Sequence, residues 1–272
     1  GKLMTLEEAV AKIKPLDHNA MEIAQKRWDS IAKPLHSLGK LETLLIQIAG
    51  ITGNAEVDLS RRGLIAMCAD NGVVEEGVTQ TGQEVTAIVA ENFLKYDTSV
   101  GVMCKQNHAE IFPVDMGMVT DTKVRTDHKI AYGTQNMTKG PAMTREQAVK
   151  GLEAGIDMVR ELNDKGYRIL ATGEMGIGNT TTSSAVASVL LKQPVEEMTG
   201  RGAGLTSEGL VRKINAIKKA IALNKPDPED AIDVLAKVGG LDIAGMAGVF
   251  LGGAVYGIPV VMDGFISCVS AL

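Results

Sequence analysis

Apolar positions along the chain follow two patterns. Residues 1–55 carry only the helical period. Leu6, Ala9, Val10 and Ile13 recur at the spacing of one helix face. A second helix is predicted from about Asp17 past Trp28, ended by Pro34, whose ring cannot continue it. A third covers 41–51, with Gly50 and Gly53 punctuating its end. No strand signal precedes residue 63. From there short unbroken apolar runs appear, as buried parallel strands require, at 63–69, 109–114, 166–172 and 259–262. Helical stretches lie between them, at 83–96, on to Gln106, then 144–163, 180–191, 206–223 and 230–238, with a long apolar helix before the last strand. Thr144 and Gln147 have capping-box spacing, and residues 119–141 are polar and irregular. Strands alternating with helices imply a parallel sheet joined by right-handed crossovers. The expected architecture is therefore α/β: a Rossmann-like parallel sheet flanked by helices over 56–272, plus a small helical domain built from the arm 1–55.

Composition narrows the function. Of 272 residues, 45% are hydrophobic and 22% charged, so the chain has material for a core and is not a disordered segment. A net charge of -5, no basic run and 3% aromatics argue against a nucleic-acid partner. Cys68, Cys104 and Cys268 lie far apart, and His18, His36, His108 and His128 have no ligand spacing. Reduced thiols and no metal site are expected. Residues 243–262 are uncharged and of membrane-spanning length. Pro259 and several glycines interrupt them, Asp242 and Asp263 bracket them, and no Lys or Arg anchor is close. A buried helix followed by a buried strand is the better reading. The amino-terminal residues show no secretory apolar core, so a cytoplasmic protein is expected.

Candidate chemistry gathers where the strands stop. Four of them end on an acidic residue with a glycine one or two positions later: Asp70/Gly72, Asp115/Gly117, Glu174/Gly176 and Asp263/Gly264. Ligands of open parallel sheets bind at the carboxyl ends of the strands, so four rim carboxylates suggest a site. After the third strand, Gly173, Gly176 and Gly178 allow close backbone approach, and Asn179, Thr180 and Thr181 open a helix whose N-terminus favours an anion. The segment lacks the Gly-Lys-Thr of a Walker loop, and Thr181 stands where a dinucleotide fingerprint needs glycine, so a single phosphate fits better. Gly200, Arg201, Gly202 and Gly204 form a second flexible backbone ahead of a helix carrying Arg212 and Lys213, also suited to phosphate or carboxylate. Lys218 and Lys219 read as a solvated helix face. No nucleophile elbow or zinc-protease motif occurs. His18, His36 and His128 are assigned surface or packing roles, and the methionines core filling.

These segments resemble the nicotinate-nucleotide–dimethylbenzimidazole phosphoribosyltransferase family, from about Trp28 to Leu272. The resemblance rests on Leu38-Gly-Lys-Leu-Glu42, on residues 69–78 with Gln83-Glu-Val-Thr86, and on residues 173–181. It rests also on residues 200–204 through Lys213, on Gly239-Gly-Leu-Asp242, and on residues 260–265. It implies transfer of 5-phosphoribose from nicotinate mononucleotide to a benzimidazole-like base, with inversion from β to α and release of nicotinate, in assembly of the cobalamin nucleotide loop. No cofactor or metal is implied. It places Asp70, Asn71, Gly72, Thr79, Gln80 and Gln83 at the aromatic base. The nucleotide and phosphate fall to Gly176, Gly178, Asn179, Thr180, Thr181, Arg201, Gly202, Gly204, Lys213, Asp242 and Asp263. Glu174 and Asp263 suit steadying of oxocarbenium-like charge. The expected assembly is a homodimer. Two departures stand out. The family's general base is a glutamate in a segment beyond Leu272, so further residues are expected to follow, and the chain as written is expected to bind substrates yet turn over poorly. Thr79-Gln-Thr-Gly82 also differs from the family's usual Ser-x-x-Pro-like stretch. The alternatives are a non-catalytic or phenol-type subunit needing a paralogous partner, and a nucleotide-binding regulatory protein.

Overall fold

The computed structural model describes residues 2–30, 40–106, 108–200 and 205–261. The chain begins with helices α1 (Leu6–Ala11), α2 (His18–Ser30) and α3 (Lys40–Thr52). Strand β1 (Arg62–Ala69) leads through a 3₁₀ helix (Gly72–Glu76) to α4 (Glu84–Lys95) and α5 (Ser99–Gln106). Strand β2 (Ala109–Gly117), a long irregular connection, α6 (Arg145–Asp164) and β3 (Ile169–Met175) follow. Then come α7 (Asn179–Leu191), α8 (Val195–Met198), α9 (Ser207–Asn224), α10 (Ala231–Val238), α11 (Leu241–Tyr256) and β4 (Val260–Val261).

The strands form one parallel sheet in the order β2-β1-β3-β4. Its two faces are written into the alternation of β1. Ile65, Met67 and Ala69 pack with Met158, Val159, Met246 and Val249 of α6 and α11. Ala66 and Cys68 face the other way, onto Ala87, Ala90 and Phe93 of α4 and Cys104 of α5. A further apolar unit lies beyond the strand ends, where Val73 and Val78 meet Ala185, Val186, Ile217 and Val234 of α7, α9 and α10.

The parallel-sheet expectation holds, and several element boundaries move. Strand β3 starts and stops later than the 166–172 run. Gly166 turns at φ 88°, and Tyr167 is spent on edge-to-face packing with Phe112. Thr172-Gly-Glu174 looks polar for a strand, yet it pairs along β1, with Glu174 opposite Met67. Glu174 and Asp115 therefore lie inside strands rather than after them. The expected face of α1 is also shorter. The helix ends at Ala11, Ala9 alone of it is buried, and Val10 and Ile13 remain exposed. Pro34 falls outside the described residues. The apolar stretch after Asp242 is α11, packed along α6, and among the described residues no helix is long and apolar enough to cross a membrane.

Candidate active site

The chain steps from β1 out to β2 on one side and later returns to β3 on the other, so the order reverses beside β1. The crevice at such a switch point, at the carboxyl ends of the strands, is where an open parallel sheet offers a site. Here it is bounded by the exits of β1 and β3.

From β1 the chain turns through Asp70, Asn71 and Gly72, all fully or nearly fully buried. Val119 N–H donates to Asp70 Oδ2 at 2.8 Å, fastening the irregular connection to the sheet. At Gly72 a Cβ would stand 2.5 Å from the Gln135 carbonyl carbon, so only glycine lets that connection close down. The 3₁₀ helix ends at Gly77 in the left-handed region, and Arg212 Nε donates to Gly77 O at 3.1 Å. Within the loop that follows, Thr79 Oγ1 donates to Thr81 O, Gln80 is exposed, and Gln83 Nε2 reaches back to Asn71 O at 3.2 Å. The residues expected at the aromatic base are thus one continuous lip.

From β3 the chain passes half-buried Glu174 and buried Gly176 to Gly178, which holds φ 90° and starts α7 without a side-chain cap. Thr86 Oγ1 accepts from Ile177 N–H at 3.2 Å and ties this turn to α4. Asn179 and Thr181 are buried at the helix start. Lys213 of α9 is 1% exposed, and its Nζ donates to Thr180 Oγ1 at 2.9 Å and Gly200 O at 3.0 Å. Among the described residues no carboxylate pairs with it. Burial pushes its pKa down to about 8. The helical spacing of α9 left Lys213 open to a solvated reading, and its burial against α7 removes that reading. Lys218 does face solvent, paired with Glu196.

The third wall is the start of α11. Asp242 is fully buried in its first turn, with Oδ1 accepting from Ile243 N–H at 3.0 Å. Burial, and then the nearby charge of Glu174, raise its pKa to about 7, against the opposing pull of the Ile243 amide and the facing amides of Asn71 and Asn179. Asp242 Oδ2 and both polar atoms of the Asn71 side chain have no hydrogen-bond partner among the described residues.

The structure therefore brings Asp70, Asn71, Gly72, Gln83, Glu174, Gly176, Gly178, Asn179, Thr180, Thr181, Lys213 and Asp242 to one crevice, with Thr79 and Gln80 on its lip. Arg201, Gly202, Gly204 and Asp263 lie outside the described residues. Asp115, expected on the rim, is a correction. It is fully buried, with Lys129 Nζ 3.0 Å from Oδ2 and Met118 N–H donating to Oδ1 at 2.8 Å, so it anchors the connection after β2. His128 packs against Asp157 at 3.1 Å. Sequence reasoning did not assign Thr86 a place in the site's frame, and it read Arg212 as a cation for phosphate or carboxylate, whereas its Nε holds the Gly77 carbonyl. The Gln83-Glu-Val-Thr86 motif contained the first, while the second needs a contact distant in sequence.

Known proteins resemble this chain over most of its length. A family model described as phosphoribosyltransferase matches residues 13–272. The nicotinate-nucleotide–dimethylbenzimidazole phosphoribosyltransferase of Ruminiclostridium cellulolyticum is 53% identical over 271 residues, covering 99% of this chain and 77% of that protein. The protein of the same name from Clostridium acetobutylicum is 52% identical over the same shares. The crystal structure of CobT from Thermus thermophilus superposes with a TM-score of 0.87 at 35% identity, over 93% of this chain and 77% of that one.

Proposed function

The chain belongs to the nicotinate-nucleotide–dimethylbenzimidazole phosphoribosyltransferase family, and from that premise we propose that the crevice between β1 and β3 carries out the family's transfer. Nicotinate mononucleotide is the donor and dimethylbenzimidazole, or a related aromatic base, the acceptor. The bond between the anomeric carbon and the pyridinium nitrogen breaks, and its electron pair leaves with nicotinate. A ring nitrogen of the base bonds to the opposite face of that carbon, giving the α-ribotide, and the base's other nitrogen passes its proton to the general-base glutamate that the family resemblance implies. The leaving group already carries a positive ring nitrogen, so the residues' tasks are positioning and charge stabilisation.

In this reading the donor phosphate sits at the start of α7 against Lys213, with Gly176, Gly178, Asn179, Thr180 and Thr181 supplying backbone and hydroxyl contacts. Arg201, Gly202 and Gly204 are assigned to the same phosphate. Asp242 and Asp263 hold the ribose, Glu174 steadies positive charge at the anomeric carbon, and the lip from Asp70 through Gln83 receives the base. The protein acts as a cytoplasmic homodimer, with residues 1–55 as a helical arm and 56–272 as the α/β domain.

The observation that carries this reading is a buried lysine with no carboxylate partner among the described residues, beside an uncapped helix N-terminus: a phosphate is the anion both lack. Calorimetric titration of wild type and Lys213→Ala with nicotinate mononucleotide and with nicotinate riboside tests it. The variant is expected to lose at least about 10-fold in affinity for the phosphorylated donor, the size of a charged hydrogen bond, and little for the riboside. Equal losses for both ligands, or none, would move the phosphate elsewhere.

A further inference from the structure

Asn71 is fully buried, and its amide faces the Asp242 carboxylate, yet neither Oδ1 nor Nδ2 closes a hydrogen bond among the described residues. Buried amides are almost always satisfied, because an unpaired one keeps its full desolvation cost. A Cβ at Gly240 would stand 2.5 Å from both Asn71 Oδ1 and Asp242 Oδ1. A Cβ at Gly176 would crowd Asp242 Oδ2 and stand 3.2 Å from Asn71 Nδ2. Gly178 lies on the Asn71 Cβ. The amide and the carboxylate are thus side by side against the backbones of Gly176 and Gly240, with Asp242 Oδ2 closing no hydrogen bond among the described residues.

A ribose presents hydroxyls that each donate one hydrogen bond and accept others. A carboxylate takes the donated protons but cannot give any back, whereas an amide does both. The pair complements a sugar hydroxyl better than either group alone. Asn71 is also the joint of the site, since its backbone carbonyl accepts from Gln83 of the acceptor lip at 3.2 Å.

Resting on the reading of the crevice as a phosphoribosyl site, we propose that Asn71 is a specificity-determining residue for the donor's ribose, orienting Asp242 and with it selecting sugars that carry their hydroxyls. This moves Asn71 from the aromatic base, where the resemblance placed it, to the boundary between base and ribose.

The test is a binding measurement independent of turnover. Wild type, Asn71→Ala and Gly240→Ala are titrated with inorganic phosphate, ribose 5-phosphate, 2-deoxyribose 5-phosphate and 3-deoxyribose 5-phosphate. Wild type is expected to bind ribose 5-phosphate about 10-fold or more tightly than at least one deoxy sugar. That ratio is expected to fall to near one in Asn71→Ala, with affinity for inorganic phosphate unchanged. A merely structural role would weaken all ligands alike. Gly240→Ala forces a methyl group between the two side chains without removing either, and should lose the ratio too. If Asn71→Ala does not fold, Gly240→Ala decides. A ratio preserved in the folded variants overturns the inference, as does a wild type that binds all the sugar phosphates equally. A wild type that binds neither phosphate nor any sugar phosphate overturns the phosphoribosyl reading itself.

Discussion

Lys213 and Asp242 are ionisable groups that the fold buries at the same site, and their ionisation sets its pH behaviour. Lys213 sits near pKa 8, so its cation is lost as pH rises through about 8, and affinity for a phosphorylated donor should fall there. Asp242 sits near 7, raised first by burial and further by the nearby charge of Glu174, and is ionised only above that. A bell-shaped kcat/KM for the donor is expected, rising through about 7 and falling through about 8, and Asp242→Asn should flatten its acid limb. Stability carries the opposite sign for Asp242. A raised carboxyl pKa favours the fold while the group is protonated, and that contribution is lost as pH rises through about 7. Asp242→Asn should therefore melt higher than wild type above pH 7, by at least ~2 °C, and converge with it in acid. A melting temperature that falls in the variant at pH 8 would mean the carboxylate is stabilising where it stands.

The elements that frame the site depend on close helix contact. Helices α6 and α11 cross with glycine against backbone: a Cβ at Gly155 would meet Gly245 O and stand 2.6 Å from Val249 N, and one at Gly252 would stand 2.8 Å from Val159 Cβ. Gly155→Ala gains about 1 kcal/mol of helix propensity but forces two backbones apart. A net loss of about 1–3 kcal/mol is expected by chemical denaturation, and a stabilised variant would refute the close crossing. The apolar α11 was legible in sequence as a buried helix, because Pro259 and the glycines interrupt it and Asp242 and Asp263 flank it. The capping box at Thr144 was legible too, and both of its reciprocal hydrogen bonds form. Strand β3 was read too early, because Tyr167 looks like strand but packs on Phe112, whereas Thr172-Gly-Glu174 looks like a loop but pairs with β1. The short 3₁₀ helix and α8 carry too few residues to show a period.

At the scale of the molecule, the reversal of strand order explains why residues separated by more than a hundred positions form one site. Asp70 to Gln83, Glu174 to Thr181, Lys213 and Asp242 lie near strand ends or early in helices, and the sheet brings those ends together. Motif resemblance made the members of this set legible, Lys213 and Asp242 included. It did not reveal that Asp115 is withdrawn into a pair with Lys129, since that depends on a connection with no period of its own. The most direct test of the whole account is release of nicotinate from nicotinate mononucleotide, followed with and without dimethylbenzimidazole. Slow release that requires the base and is matched one for one by α-ribotide is the predicted result. No release at any base concentration, or release that ignores the base, would contradict it.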